Sequence, residues 1–121
     1  MREILFRGKR VDNSKWVEGS LIKVDWRNKP TTYSIMPTRP TACNYIVDPK
    51  TVGQYTGVED ESGTMIFEGD ILRDDDAEEN GVVVFKESEF CVVFDNVITH
   101  GISDSCYIRG NIHDNPELME G

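Results

Sequence analysis

Short apolar runs dominate this chain, each stopped by a glycine, a proline or a cluster of acids, and no stretch repeats its apolar residues at helical spacing. That leaves strands and turns as the elements able to bury apolar side chains. Residues 52–71 show the pattern best. Two apolar runs, 52–58 and 64–67, flank the acidic turn 59–63, and Gly69-Asp70 makes a second turn. In the first run Val52, Gln54 and Thr56 fall on one side of an extended chain, with Gly53, Tyr55 and Gly57 on the other. Gly63 stands where closing the turn calls for a positive φ.

The strongest strand pattern is Val82-Val83-Val84-Phe85 followed by Phe90-Cys91-Val92-Val93-Phe94, with Lys86-Glu87-Ser88-Glu89 as the hairpin loop. Phe90, Val92 and Phe94 share one face and Cys91 and Val93 the other, so protein is expected against both. Ile4-Leu5-Phe6, the turn Asp12-Asn13-Ser14 and the run from Trp16 to Val24 read as a hairpin and a strand. Tyr45-Ile46-Val47 and Cys106-Tyr107-Ile108 are further strands, and Asn115 is placed to cap one helical turn beginning at Pro116. Residues 25–43 are the least regular. Pro37 and Pro40 cannot donate ladder hydrogen bonds, so a long arm or loop is expected there, with at most a short or edge strand.

A length of 121 residues suits one domain or two small layers. Lys plus Arg number 13 against 22 Asp plus Glu, a formal net charge of -9, which repels a phosphate backbone and argues against nonspecific nucleic-acid binding. Arg7, Lys9, Arg10, Lys15, Arg27 and Arg39 all fall in the first half, so charge is asymmetric along the chain. There is no apolar signal core at the N-terminus and no run of membrane-span length, which points to a cytoplasmic protein with no membrane partner. Cys43, Cys91 and Cys106 make an odd, widely spaced set and read as reduced thiols.

Chemistry-bearing motifs are sparse. His100 and His113 with Cys91 and Cys106 offer zinc-type donors, but their spacing is diffuse and no Cys-x-x-Cys pair exists. A nucleophilic pair, Cys106 with His100 or Cys91 with His113, needs a proximity that spacing does not supply. Residues 74–81 carry five carboxylates and resemble a calcium loop only in composition, since Glu79 occupies the place of the glycine. No phosphate loop, nucleophile elbow or dinucleotide fingerprint is present. The reading is therefore no catalytic residue, no cofactor and no metal. Trp16, Trp26 and Tyr33 are the expected protein-contact residues, with Arg27 and Arg39 beside them on the irregular arm.

Several motifs resemble the YopX-like proteins of phages and prophages. They are residues 2–10 (Arg-Glu-Ile-Leu-Phe-Arg-Gly-Lys-Arg), residues 16–21 (Trp-Val-Glu-Gly-Ser-Leu) and residues 47–57 (Val-Asp-Pro-Lys-Thr-Val-Gly-Gln-Tyr-Thr-Gly). Asp60, Gly63, Ile66-Phe67-Glu68-Gly69-Asp70-Ile71 and the tail Gly110-Asn111-Ile112-His113-Asp114-Asn115-Pro116-Glu117-Leu118 continue the likeness. Arg109 departs from it, because an apolar residue usually precedes that glycine. The resemblance implies a phage or prophage product in a bacterial cytoplasm, a mostly β fold and self-association. It implies no activity.

The expectation is a mostly β protein. An N-terminal β region with an irregular arm, residues 1–51, packs with a small barrel-like (SH3-like) β region, residues 52–121. The expected role is a non-enzymatic interaction or self-assembling module, a homo-oligomer or a binder of a host or phage protein. Two alternatives stand beside it. One is an acidic phosphate mimic that inhibits a host factor. The other is a nucleic-acid accessory protein using Arg7, Lys9, Arg10 and Lys15, in which those side chains cluster beside an aromatic. A hydrolase would instead need a cleft holding His100 or His113 with a carboxylate and a nucleophile.

Overall fold

Strands and single turns of 3₁₀ helix make up the regular structure in this computed structural model, which describes residues 4–38, 43–74, 79–94, 97–103 and 105–120. The chain divides into two compact units, Met1–Gln54 and Tyr55–Gly121. Among the described residues every strand pairing is antiparallel.

In the first unit β1 (Phe6–Lys9), β2 (Trp16–Val24), β3 (Thr32–Pro37) and β4 (Tyr45–Ile46) pair in sequence order. The other side of β1 pairs with Gly53 and Gln54, the start of β5 (Gly53–Glu59). Ile35 and Val47 are buried here, and Gly8 lies against the Val47 side chain. Gly19 lets β3 come close: a Cβ at that position would lie 1.8 Å from the Met36 carbonyl oxygen. Pro49–Thr51 forms a 3₁₀ turn capped by Asp48, whose carboxylate accepts the Lys50 N–H at 3.0 Å. The Thr51 hydroxyl accepts the Lys9 N–H at 2.8 Å and donates to the Asp48 carbonyl at 2.6 Å, tying this turn to β1. The expected arm over residues 25–43 is thus partly a six-residue strand, β3, flanked by β2 and β4. Pro37 ends that strand, where no ladder donor is demanded of it.

In the second unit the rest of β5 pairs with β6 (Met65–Phe67). The period-two alternation expected through Gly57 breaks there. Gly57 takes a φ of 87°, and the register slips between Tyr55 and Glu59. The Thr56 hydroxyl fills the irregularity by donating to the Ile66 carbonyl at 2.8 Å and accepting the Val58 N–H at 3.2 Å. Gly63 has a φ of 87° and Gly69 one of 93°, as their turns require. β7 (Asp70–Asp74), β8 (Asn80–Lys86), β9 (Glu89–Val93) and β10 (Ile98–His100) form a meander, and β11 (Cys106–Asn111) returns to pair with β7. Ile66, Leu72, Val83, Phe90, Val92 and Cys106 form the core, joined by Val58, Phe94, Ile102 and Ile108. Phe90 and Val92 face that core, and Cys91 is buried on the opposite face, where Glu89 is exposed and Val93 half-buried, so that second face is covered only in part.

The SH3-like barrel is not formed. The five-stranded sheet runs β10-β9-β8-β7-β11, and among the described residues no ladder joins its two edges. Closure needs the two edge strands, β10 and β11, to pair with each other. Here β11 pairs with β7, and β10 is only three residues long with all three exposed. Alternation and corner glycines signal strands and bends, but they carry no information about edge pairing.

Gly19→Ala is expected to destabilise the protein by about 1–3 kcal/mol, because the methyl meets backbone that has no rotamer to move to; urea denaturation measures it. The β8–β9 loop reduces to Glu87 and Ser88, both at positive φ (52° and 68°). Ser88→Gly is therefore expected to raise stability by about 0.5–1 kcal/mol, read as a higher thermal midpoint.

Candidate functional site

Cations stacked on aromatic rings mark the surface of the first unit. Lys9 pairs with Trp16 across the β1–β2 ladder, and Arg7 lies two residues along the same face. The Arg7 guanidinium lies 4.7 Å and the Lys9 ammonium 5.6 Å from the Trp16 ring centre. Arg10 lies 3.9 Å from the Tyr45 ring and is also bonded through Nε and Nη2 to the Asp12 carboxylate, at 2.9 and 2.6 Å. That bond raises the Arg10 pKa and lowers that of Asp12. Lys15 shows no such stack; its backbone N–H is held by the Asn13 side chain at 3.0 Å.

Trp26 is 51% exposed in the β2–β3 connection. Its Nε1–H donates to the Thr32 hydroxyl at 3.0 Å, and Lys29 sits 6.0 Å from its ring. Arg27 follows it on the same exposed turn, where Asn28 has a φ of 66°. Tyr33 pairs with Lys23 and lies on the opposite sheet face from Trp16, so the expected contact residues do not form one patch. Arg39 lies outside the described residues, as do residues 75–78 of the acidic loop.

In the second unit β9 and β10 gather a carboxylate, a thiol and an imidazole. Glu89 and Cys91 are two apart on β9, and His100 pairs directly with Cys91. All three therefore project from one face. His100 Nδ1 bonds Glu89 Oε1, and Cys91 Sγ–H donates to the same oxygen at 3.6 Å. The bond to Glu89 raises the His100 pKa, and its reciprocal lowers that of Glu89. Burial pushes the Cys91 thiol up, and the neighbouring Glu89 and Glu87 push it further. A nucleophilic pair needs the opposite, a thiolate favoured by the imidazole.

The four zinc-type donors weighed in the sequence, His100, His113, Cys91 and Cys106, are not brought together. Cys106 pairs with Asp74 on the face opposite Cys91 and donates to the Ser103 carbonyl at 2.9 Å. His113 lies near the Gly69 turn. Of the candidate nucleophile pairs weighed in the sequence, neither is a ladder pair; His100 pairs with Cys91 instead. A cavity of about 350 Å³ opens beside Leu72, Val92, Phe94 and Ile102, and Asp74, His100, Ser103 and Cys106 also line it, so an imidazole, a carboxylate and a thiol border one cleft as the hydrolase alternative requires. The Glu89–Cys91–His100 grouping escaped sequence reading because His100 reaches Cys91 only through the β9–β10 register.

Asp60 and Asp70 are buried carboxylates of structural use. Asp60 Oδ1 accepts the Ser62 N–H, the Ser62 hydroxyl and the Thr64 N–H at 2.9, 2.7 and 2.9 Å. Its Oδ2 accepts the Ile108 N–H of β11 at 3.1 Å. Asp70 accepts the Phe67 N–H at 2.8 Å and closes the Gly69 turn. In the tail, Asn111 accepts the His113 and Asp114 N–H groups, and Asn115 Oδ1 accepts the Asn111 N–H at 3.3 Å. Asn115 thus stands before the 3₁₀ turn Pro116–Met119 without capping it through its side chain.

The YopX protein family profile matches residues 5–120. The chain belongs to the YopX protein family. Asp60, Gly63, Gly69, Asp70, Asn111 and Asn115 of its motifs are turn-makers and staples, while Arg7, Lys9, Arg10 and Trp16 form the stacks of the first unit. Arg109, the departure from the YopX pattern, is the extra residue of a β-bulge between Ile108 and Gly110 and is exposed, so its charge costs the core nothing. A search of curated proteins finds no match. Among solved structures, the chain resembles the crystal structure of protein EF1440 from Enterococcus faecalis. Identity is 23%, the TM-score is 0.62, and the alignment covers 99% of this chain and 100% of that one. At that identity the likeness shows a shared fold. Among the described residues no helix is long and apolar enough to cross a membrane.

Burial raises the Asp60 pKa, but the bonds from Ser62, Thr64 and Ile108 outweigh it and hold the carboxyl below its ordinary value. Its stabilisation is therefore complete above the unfolded-chain pKa of about 3.9 and is lost as pH falls through the lower folded value. Asp60→Asn is expected to cost about 1–3 kcal/mol at neutral pH. Denaturation curves should show the gap to the native chain narrowing below about pH 4.

Proposed function

We propose that this YopX-family protein is a non-enzymatic interaction module that docks a protein partner, in the simplest case a second copy of itself, through its N-terminal unit. Trp26 carries the reading. A half-exposed indole fixed by a hydrogen bond to Thr32 and flanked by Lys29 loses little side-chain freedom when covered. Arg27 beside it and Trp16 under Arg7 and Lys9 supply further aromatic and guanidinium surface of the kind enriched at interfaces. Met36 and Ile46, on the sheet face shared with Trp16, are exposed and add apolar area. A host or phage protein is the alternative occupant.

The mass of the native assembly across a concentration series tests self-association, and affinity capture from host lysate tests a foreign partner. The expected result is an oligomer, or a discrete captured protein, that Trp26→Ala weakens at least about tenfold. A monomer at every concentration, together with capture unchanged in Trp26→Ala and Trp16→Ala, would refute the reading.

The Arg7–Lys9–Trp16 stack favours a second reading, a nucleic-acid accessory protein, because cations beside an aromatic suit a single strand. The net charge of -9 opposes it. Oligonucleotide binding that weakens steeply with salt and disappears in Arg7→Ala would support it. No binding at low salt would exclude it.

A further inference from the structure

We propose that Glu89, Cys91 and His100 form a binding site for a thiophilic divalent transition metal, zinc in the first instance. One donor atom from each residue lies within 4.8 Å of the other two. At zinc–ligand lengths of roughly 2.0–2.3 Å, tetrahedral donors stand about 3.3–3.6 Å apart. Cys91 Sγ and Glu89 Oε1 are already 3.6 Å apart. The donors are fixed by strand register rather than by a mobile loop: two sit on β9 and the third directly across from Cys91 on β10. Thiolate with imidazole selects zinc-like ions over calcium or magnesium, which prefer oxygen alone.

The site is open on one side. Lys86, Glu87 and Ile98 join the three donors around a shallow hollow of about 140 Å³. Three protein donors leave a fourth position for water or the Glu87 carboxylate. Glu87 and Glu89 outweigh the single charge of Lys86 and favour a cation. On binding, the metal–sulfur bond replaces the Cys91 S–H bond and the proton leaves to solvent. The imidazole likewise binds in its neutral form, giving up any added proton. The bound ion would clip the exposed edge strand β10 to β9. The plain alternative is a surface His100–Glu89 ion pair that holds no metal.

Titration of chelator-treated protein with zinc alone, followed by calorimetry, tests the site. The background is Cys43→Ser, which removes the exposed thiol. One equivalent should bind, and Cys91→Ser or His100→Ala should weaken binding by more than the ~10–100-fold that loss of an outer-shell partner costs. His100 sits on an exposed edge, so His100→Ala tests the site even where Cys91→Ser disturbs the core. Cobalt substitution should give a thiolate-to-cobalt charge-transfer band absent from Cys91→Ser. Zinc should also slow amide exchange in Ile98–His100. No binding, or binding undiminished in both variants, would overturn the proposal.

Discussion

The carboxylate of Asp60 makes the contact on which the second unit depends. One oxygen organises the turn between β5 and β6, and the other accepts an N–H from β11, 48 residues further along. Around it the backbone adds two bonds, Asp60 N–H to the Thr64 carbonyl and Glu61 N–H to the Cys106 carbonyl. The turn thereby anchors the hairpin that brings Ile66 into the core to the strand that brings Cys106 and Ile108. Charge-assisted bonds to backbone N–H groups are stronger than neutral ones, which is why one buried acid can hold segments so distant in sequence.

Glycine and hydrogen-bonded turns do the corresponding work elsewhere. Gly69 donates to the Val83 carbonyl and accepts from the Ile112 N–H, so β8 and the tail meet at one residue. Gly110 leaves room for Asn115, whose side chain would otherwise collide with a Cβ at 2.4 Å. These positions carry the YopX motifs, and their physical content is fold-making. That explains why the motifs announce a family without announcing a reaction. Groups with binding chemistry fall both within the motifs, on the Arg7–Lys9–Trp16 stack of the first unit, and outside them, on Trp26 and on the β9–β10 face of the second.

Much of this architecture was legible in advance. The β8–β9 hairpin, the Gly63 and Gly69 turns and the Asp12-Asn13-Ser14 turn follow from alternation and turn chemistry, and each is present. β3 was obscured because only Ile35 along it is fully buried, so its apolar period is faint. The bulge at Gly57 was hidden for a related reason: a slip in register changes no residue type. Of the residues expected at an interface, Trp26 and Arg27 share a turn while Tyr33 points away from Trp16, a division set by counting from a register that the sequence does not print.

Residue types and their local order determined that this chain is strand and turn, where it bends, and which family it joins. Those properties depend on the nearest few residues and on whether a backbone can take a positive φ. Tertiary structure alone decided that the five-stranded sheet stays open, that Cys91 meets His100 rather than His113, and that Asp60 reaches Ile108. Each of those outcomes is a choice of partner between segments far apart in the chain, fixed by which strand edges pair and in what register.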